Sequence, residues 1–302
     1  MKIFVDTAEL DEIKEAYSWG ILDGVTTNPS LIKKAVESRK NVDMEKYIGD
    51  ICRAVDGPVS LEVIGLTAEE MIRQGELLYD RFNSVNDNVV VKIPINTSSG
   101  ESAAGKYEGL KALSELSSKG IPTNTTLIMK PEQALLAAKA GTQYVSPFAG
   151  RIDDYIRTNI GLDRGEDYSK SAYHDSEWLQ HASYLNLKPR YEDLEGEDLA
   201  KIYSDPEITT VRGSVSDEGI FSGAAAVASI KQIFRNYGFD TEVLAASLRN
   251  SHQVREVAEA GTDVATIPFH VLEEMVGHYK TERGIVSFSE DVVKEYEEIF
   301  EQ

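Results

Sequence analysis

The sequence predicts an α/β chain closed as a single (β/α)8 barrel, the TIM-barrel architecture, with a long insertion after the sixth strand and an extra helix at the C-terminus. Three observations carry that prediction. Eight short β-branched runs recur along the 302 residues, and each is followed by a helical pattern. The spacing between runs is too long for hairpins and suits parallel crossovers. No GxGxxG turn follows any run, which disfavours the alternative, a doubly wound dinucleotide-binding sheet. A chain of 302 residues with 41% hydrophobic composition can bury one large core, and barrels of this size occur as one domain, taken here as residues 1–302.

In order, the runs are KIFVD, DGVTT, VSLEVI, NVVVKIP, TNTTLI, QYVSPF, EVLAAS and DVATIP. Helix signals stand between them. Thr67 precedes AEEMIRQGELLYDRF as an N-cap, Pro131 opens PEQALLAAKAG, and Gly141 and Gly261 close their helices. The interval at about 155–218, between QYVSPFAGRIDD and GAAAVASIKQIFRNYG, far exceeds the usual βα loop of about 2–6 residues and reads as an insertion. Within it, SEWLQHASYL and EDLAKIY have helical character, so it is not a low-complexity linker. After the eighth run, HVLEEMVGHY reads as a barrel helix and SEDVVKEYEEIFEQ as the helix beyond it. There is no internal repeat and no Pro/Gly/Ser tract that would divide the chain.

A formal net charge of -20 excludes a nucleic-acid partner, which needs a basic face to release counterions from the phosphates. It also sets a condition: phosphate chemistry on so acidic a chain requires a local, concentrated basic site. Cys52 is the only cysteine, which excludes an internal disulfide and fits a reducing compartment. The five histidines are scattered without metal-ligand spacing, so no metal and no other cofactor is expected. MKIFVDTAEL lacks a leader pattern, and no stretch approaches the ~18 apolar residues of a membrane span, so no membrane association and a cytoplasmic location are expected.

In a barrel the active site lies at the C-terminal ends of the strands, so the polar residues closing each run are the candidates. These are Asp6, then Thr26, Thr27 and Asn28, Glu62, Lys92, Asn124 and Thr126, Ser146, and Ser247 and Arg249. Lys92 stands out because VVVKIP sets an ammonium in an apolar run that a parallel barrel buries. Desolvation would lower its basicity from about 10.4 toward roughly 7–8 and yield the free amine that attacks a ketone. The competing reading is a lysine that snorkels or pairs with a carboxylate. Asp6 and Glu62 are the candidate acid and base, with helix capping or ion pairing as their plainer roles. Arg151 and Arg249 can supply the basic site, with Ser247 adding a donor; the plainer reading is an ordinary surface ion pair.

MKIFVDTA, DGVTTNPSLI, VVKIP, GIPTNTTLI, AGTQYVSPFAGRIDD and VLAASLRNSHQV together closely resemble the transaldolase and fructose-6-phosphate aldolase family. The resemblance covers Met1 to about Gly150 and about Asp217 to the C-terminus, leaving the insertion outside it. It implies a class I enzyme in which Lys92 forms a Schiff base. By the same resemblance Asp6 moves the proton of the hydroxyl beside the cleaved bond, and Glu62 and Thr126 hold a relay water. Asn28, Asn124 and Ser146, with Thr27 beside them, hold the ketol hydroxyls, while Arg151, Ser247 and Arg249 grip the substrate phosphate. Glu62 and Phe148 are similar to the transaldolase branch, where the aldolase branch has Gln and Tyr, so transfer of a dihydroxyacetone unit between sugar phosphates is the expected activity. The alternatives are a fructose-6-phosphate-type aldolase, a transaldolase for another anionic ketose such as a sulfo-sugar, and a non-catalytic sugar-phosphate-binding barrel. The resemblance further implies a homo-oligomer in which the C-terminal helix takes part. The insertion is either a lid or specificity element over the site, or a surface decoration or oligomer contact.

Overall fold

The computed structural model describes residues 1–37, 42–98, 105–168, 176–206, 208–209 and 219–301. Eight parallel strands close into a barrel in sequence order. They are β1 (Lys2–Asp6), β2 (Gly24–Thr26), β3 (Val59–Glu62), β4 (Val89–Pro94), β5 (Thr123–Ile128), β6 (Tyr144–Pro147), β7 (Glu242–Ala245) and β8 (Val264–Ile267). Closure is made by β1 pairing with β8, Phe4 opposite Thr266. Around them run α1 (Leu10–Ser18), α2 (Pro29–Glu37), α3 (Met44–Arg53), α4 (Ala68–Asn86), α5 (Glu108–Ser118), α6 (Pro131–Lys139) and α7 (Ala149–Asn159). Next come α8 (Ser176–Leu187) and α9 (Lys201–Ser204), then α10 (Gly223–Tyr237), α11 (Ser251–Glu259), α12 (Phe269–Val276), α13 (Tyr279–Glu290) and α14 (Lys294–Glu297).

The strand pleat sorts the apolar residues into two cores. One residue of each pair turns outward beneath the helices: Val5, Val25, Val59, Val91, Val145, Val243 and Ala265 belong to the large core between barrel and helices. Their neighbours turn inward, where Phe4, Val90, Tyr144, Leu244 and Val264 form a separate cluster. Phe4 and Tyr144 meet edge to face at 6.2 Å, which plugs the N-terminal half of the barrel. Gly24 belongs to this layer because a Cβ there would fall 2.7 Å from the Phe4 ring. Each large side chain buried in this way stabilises the fold by about 1.5–3 kcal/mol.

Helix ends follow the local chemistry. Thr67 and Glu70 form a reciprocal capping box at α4, Pro131 opens α6, and Gly141 and Gly261 take the left-handed turn after α6 and α11. At β5 the register with β6 shifts between Thr125 and Ile128, and Leu127 takes φ 60 there, a bulge at the rim of the barrel.

Two sequence expectations are corrected. α7 continues to Asn159, so the first residues assigned to the insertion are barrel helix, kept in register by Ile152 and Ile156 on its buried face. Beyond it, α8 packs Leu179 against Ile152, Ile156 and Ala226, on the outer flank of α7 and α10. Residues 169–175, 207 and 210–218 of the expected insertion lie outside the described residues. The C-terminal helix is also displaced: α13 ends at Glu290, and SEDVVKEYEEIF carries only the short α14 and a 3-10 turn at Glu298–Phe300. Among the described residues no helix is long and apolar enough to cross a membrane.

Candidate active site

The pleat that builds the apolar plug also builds the site. Two residues further along each strand, on the same inward face, Phe4 gives way to Asp6, Gly24 to Thr26, Ser60 to Glu62, Val90 to Lys92, Asn124 to Thr126, Tyr144 to Ser146, Leu244 to Ala246 and Val264 to Thr266. Apolar and small side chains thus fill most of one layer, and the next is almost wholly polar. Asp6, Thr26, Lys92, Ser146, Ala246 and Thr266 line a cavity of about 420 Å³ at the C-terminal end of the barrel, together with Asn28, Ser30, Leu31, Phe148, Arg151, Arg164, Ser247 and Arg249.

Lys92 is 4% exposed and stands with its Nζ 3.1 Å from Glu62 Oε2, also donating to the Thr27 carbonyl at 3.2 Å. Of the two alternatives the sequence leaves open, a free amine and a lysine paired with a carboxylate, the structure shows the pair. The register explains it, since Glu62, Lys92 and Asn124 are partners across β3, β4 and β5. For the amine to attack a carbonyl its extra proton must leave, and the Glu62 carboxylate lies within reach to accept it. Opposite, Asp6 accepts a hydrogen bond from Thr26 Oγ1 at 2.8 Å, and Thr26 in turn meets Thr266. Burial pushes the Asp6 carboxyl above its ordinary range, against the pull of Lys92, the Thr26 hydrogen bond and the two arginines. A carboxylate raised in this way takes up a proton more readily than an exposed one does.

Two of the predicted residues, Asn124 and Thr27, act on the cavity through others. Asn124, fully buried, donates to Ser60 Oγ at 3.2 Å and accepts from Ser146 Oγ at 2.7 Å, so it fixes the Ser146 hydroxyl. Thr27 turns its hydroxyl to the Ser60 carbonyl at 2.8 Å and serves Lys92 by its backbone oxygen, which corrects its expected side-chain role. Thr126 Oγ1 is buried and without a hydrogen-bond partner, as a hydroxyl that awaits a water or substrate oxygen would be. Asn28 lines the cavity while its Oδ1 accepts from Leu31 N at 3.0 Å at the start of α2.

The mouth is cationic. Among the described residues, Lys92, Arg151, Arg164 and Arg249 line the cavity against one lining carboxylate, Asp6, which inverts the sign of the chain as a whole. Arg151 lies over the Phe148 ring at 4.9 Å. Burial first, and then the charge of Arg249, pull the Arg151 pKa down. A guanidinium cannot shed its proton near neutral pH, so the consequence is a standing demand for an anion. Arg249 Nε is buried without a partner, while its Nη2 donates to Asp154 Oδ2 at 3.1 Å.

Close backbone approach creates this corner. A Cβ on Gly150 would lie 2.0 Å from the Ser247 carbonyl, so only glycine lets the first turn of α7 meet the end of β7. Ser247 itself takes φ 64, a left-handed conformation rare outside glycine and found most often at working sites. The N-terminus of α7 contributes its dipole at the same corner.

Residues missed by sequence reading fall into two groups. Ser60 and Thr266 carried a signal, since each is a polar residue on the inward face of an apolar run, and Thr266 is the polar member of the eighth strand. Arg164, Asp154, Asp153 and Gln253 carried none, because only the tertiary fold brings them together.

The model of the family described as Transaldolase/Fructose-6-phosphate aldolase matches residues 3–193 and 206–302. The match runs through most of the segment that sequence reading left outside the resemblance, which corrects that boundary. A probable transaldolase of Prosthecochloris aestuarii is 42% identical over 294 residues, covering 96% of this chain and 97% of that protein. One of Caldicellulosiruptor saccharolyticus is 41% identical over 292 residues, 96% of each. Another, of Aquifex aeolicus, is 39% identical over 300 residues, covering 99% of this chain and 100% of its own.

Proposed function

This chain belongs to the transaldolase/fructose-6-phosphate aldolase family, and from that premise we propose that it moves a dihydroxyacetone unit from a ketose phosphate to an aldose phosphate through a Schiff base on Lys92. The observation that carries the proposal is Lys92, buried and paired with Glu62, lining with Asp6 a cavity that arginines also line.

In this reading the ammonium passes a proton to Glu62, the amine adds to the ketose carbonyl, and loss of water leaves the imine. Asp6 takes the proton of the hydroxyl beside the scissile carbon–carbon bond. The bond breaks with its electron pair drawn into the imine as an enamine, and the aldose phosphate departs. An incoming aldose phosphate receives that pair at its aldehyde carbon, Asp6 returns the proton to the new hydroxyl, and water releases Lys92. The partnerless Thr126 hydroxyl supports a role in holding that water. Ser146, fixed by Asn124, and Asn28 are placed to hold ketol hydroxyls. Arg151, Ser247 and Arg249 hold the phosphate, and the orphaned Arg249 Nε supports this.

Sodium borohydride in the presence of fructose 6-phosphate tests the reading. Reduction should fix a sugar adduct on Lys92, found by mass spectrometry and abolished in Lys92→Ala. A reaction mixture with no adduct on any ketose would end the Schiff-base proposal. Omitting the aldose acceptor separates transfer from aldol cleavage, since an aldolase releases free dihydroxyacetone without one. The expected setting is the cytoplasm, and the expected assembly is a homo-oligomer joined through the C-terminal segment.

A further inference from the structure

The cavity holds a third arginine that belongs to none of the strand-end motifs. Arg164 stands five residues beyond the end of α7 and lines the cavity with Arg151 and Arg249. It is carried on a turn closed on itself, where Gly165 N donates to the Tyr168 carbonyl at 2.8 Å and Asp163 N to Asp167 Oδ2 at 2.7 Å. Its guanidinium is aimed by Asp154, whose Oδ2 accepts from Arg164 Nη1 at 3.1 Å and from Arg249 Nη2 at 3.1 Å. The Tyr168 hydroxyl donates to the other oxygen of the same carboxylate at 3.2 Å. One carboxylate therefore gathers two guanidiniums at the mouth of the cavity.

We propose that Arg164 is a specificity residue that binds the terminal phosphate of the sugar substrate alongside Arg151 and Arg249. The inference rests on the sugar-phosphate reading above and adds a charge argument to it. Among the described side chains, three guanidiniums less the Asp154 carboxylate that pairs with two of them leave two positive charges at this corner, the complement of a phosphate dianion, while Asp6 and the Lys92–Glu62 pair belong to the strand-end layer. Without Arg164 a single net charge remains, enough for a monoanion. Arg164 is the most exposed of the three partners in the cluster, at 44% of its side chain against 17% for Arg249 and 20% for Asp154. It can therefore leave Asp154 for an arriving anion at small conformational cost, while Arg249 stays fixed.

The test measures inorganic phosphate binding directly by titration calorimetry, and half-saturation in borohydride trapping with fructose 6-phosphate and with unphosphorylated fructose. Arg164→Gln should weaken inorganic phosphate about tenfold and raise half-saturation for fructose 6-phosphate by a similar factor. Maximal labelling of Lys92, and half-saturation with fructose, should stay as in the parent. Arg164→Lys should recover part of the loss, and Arg53→Gln, which removes the same charge from the exposed face of α3, should recover the parent values throughout. Phosphate binding unchanged in Arg164→Gln, or undetectable in the parent at millimolar concentration, would overturn the proposal. Weakened phosphate binding in Arg164→Gln with no adduct on Lys92 in any variant would sink the Schiff-base reading and leave the anion role of Arg164 standing.

Discussion

At the scale of single residues, one amine, two carboxylates and one glycine set the site. Lys92 was legible in the sequence because an ammonium inside VVVKIP has few bland explanations, but its pairing with Glu62 was not, since it depends on the register of β3 against β4. Asp6 is where chemistry and burial meet. Asp6→Asn removes the proton carrier and keeps the shape, so kcat should fall about 10²–10⁴-fold while KM moves little, as steady-state kinetics with fructose 6-phosphate can read. The structure already sets aside the helix-capping role that the sequence also allowed, because Glu9 is the N-cap of α1 and Asp6 accepts from Thr26, so a change confined to KM would leave Asp6 a substrate-binding group and not the proton carrier. Gly150 is different in kind. The carbonyl of Ser247 is backbone and cannot swing aside from a new methyl group at 2.0 Å, so Gly150→Ala must part α7 from β7. The expected cost is about 3 kcal/mol in urea unfolding, with phosphate binding lost in the same variant. Gly150 was quoted in the sequence only as part of a motif; the need for glycine appears when the two strand ends meet.

At the scale of elements, Asp153 ties three helices that are distant in the chain. From α7, its carboxylate accepts from Gly223 N at 2.7 Å, at the start of α10, and from Gln253 Nε2 at 2.6 Å on α11. Gln253 then accepts from Arg249 N at 2.9 Å, so Arg249 is held by its backbone through Asp153 and by its guanidinium through Asp154. No periodicity in the sequence could reveal a contact spanning 100 residues, whereas the α4 cap and the Pro131 start were local and were read correctly. Burial raises the Asp153 carboxyl from 3.8 to about 6, against its hydrogen bonds and Arg157. The folded protein therefore holds this proton more tightly than the unfolded chain does. The stabilisation that protonation gives is complete below 3.8 and is lost as pH rises through about 6. Lowering the pH from 7.5 to 5 should stabilise the parent relative to Asp153→Asn by about 1.4 kcal/mol. Chemical denaturation of both proteins at each pH measures the difference, and the subtraction removes the general relief of charge repulsion. Parallel pH profiles would show that Asp153 keeps its ordinary acidity.

At the scale of the whole molecule, the barrel was legible because its two signals repeat eight times, and a local misreading in one strand would not have hidden the rest. The polar layer at the strand ends was legible for the same reason, since an inward residue is followed by another inward residue two positions on. The C-terminal segment had no such repetition and its helix was misplaced: α13 begins at Tyr279, ahead of the acidic run that looked helical. No residue of α13 or α14 is buried, yet Ile285, Val286, Phe288, Val292, Val293, Tyr296, Ile299 and Phe300 are each at least 43% exposed. Apolar side chains in this number, brought together at one end of a chain of net charge -20, are otherwise a liability, because each forgoes about 1.5–3 kcal/mol of burial. A second copy of the chain would cover them without needing any charge complement, which a partner of opposite charge would have to supply. Ending the chain at Gly277 should then convert the assembly to a monomer by light scattering. The barrel should remain folded by circular dichroism, since the removed residues bury nothing within their own subunit. A full-length protein that is monomeric at micromolar concentration, or a shortened one that keeps its mass ratio, would refute the oligomer and leave this face to a different occupant.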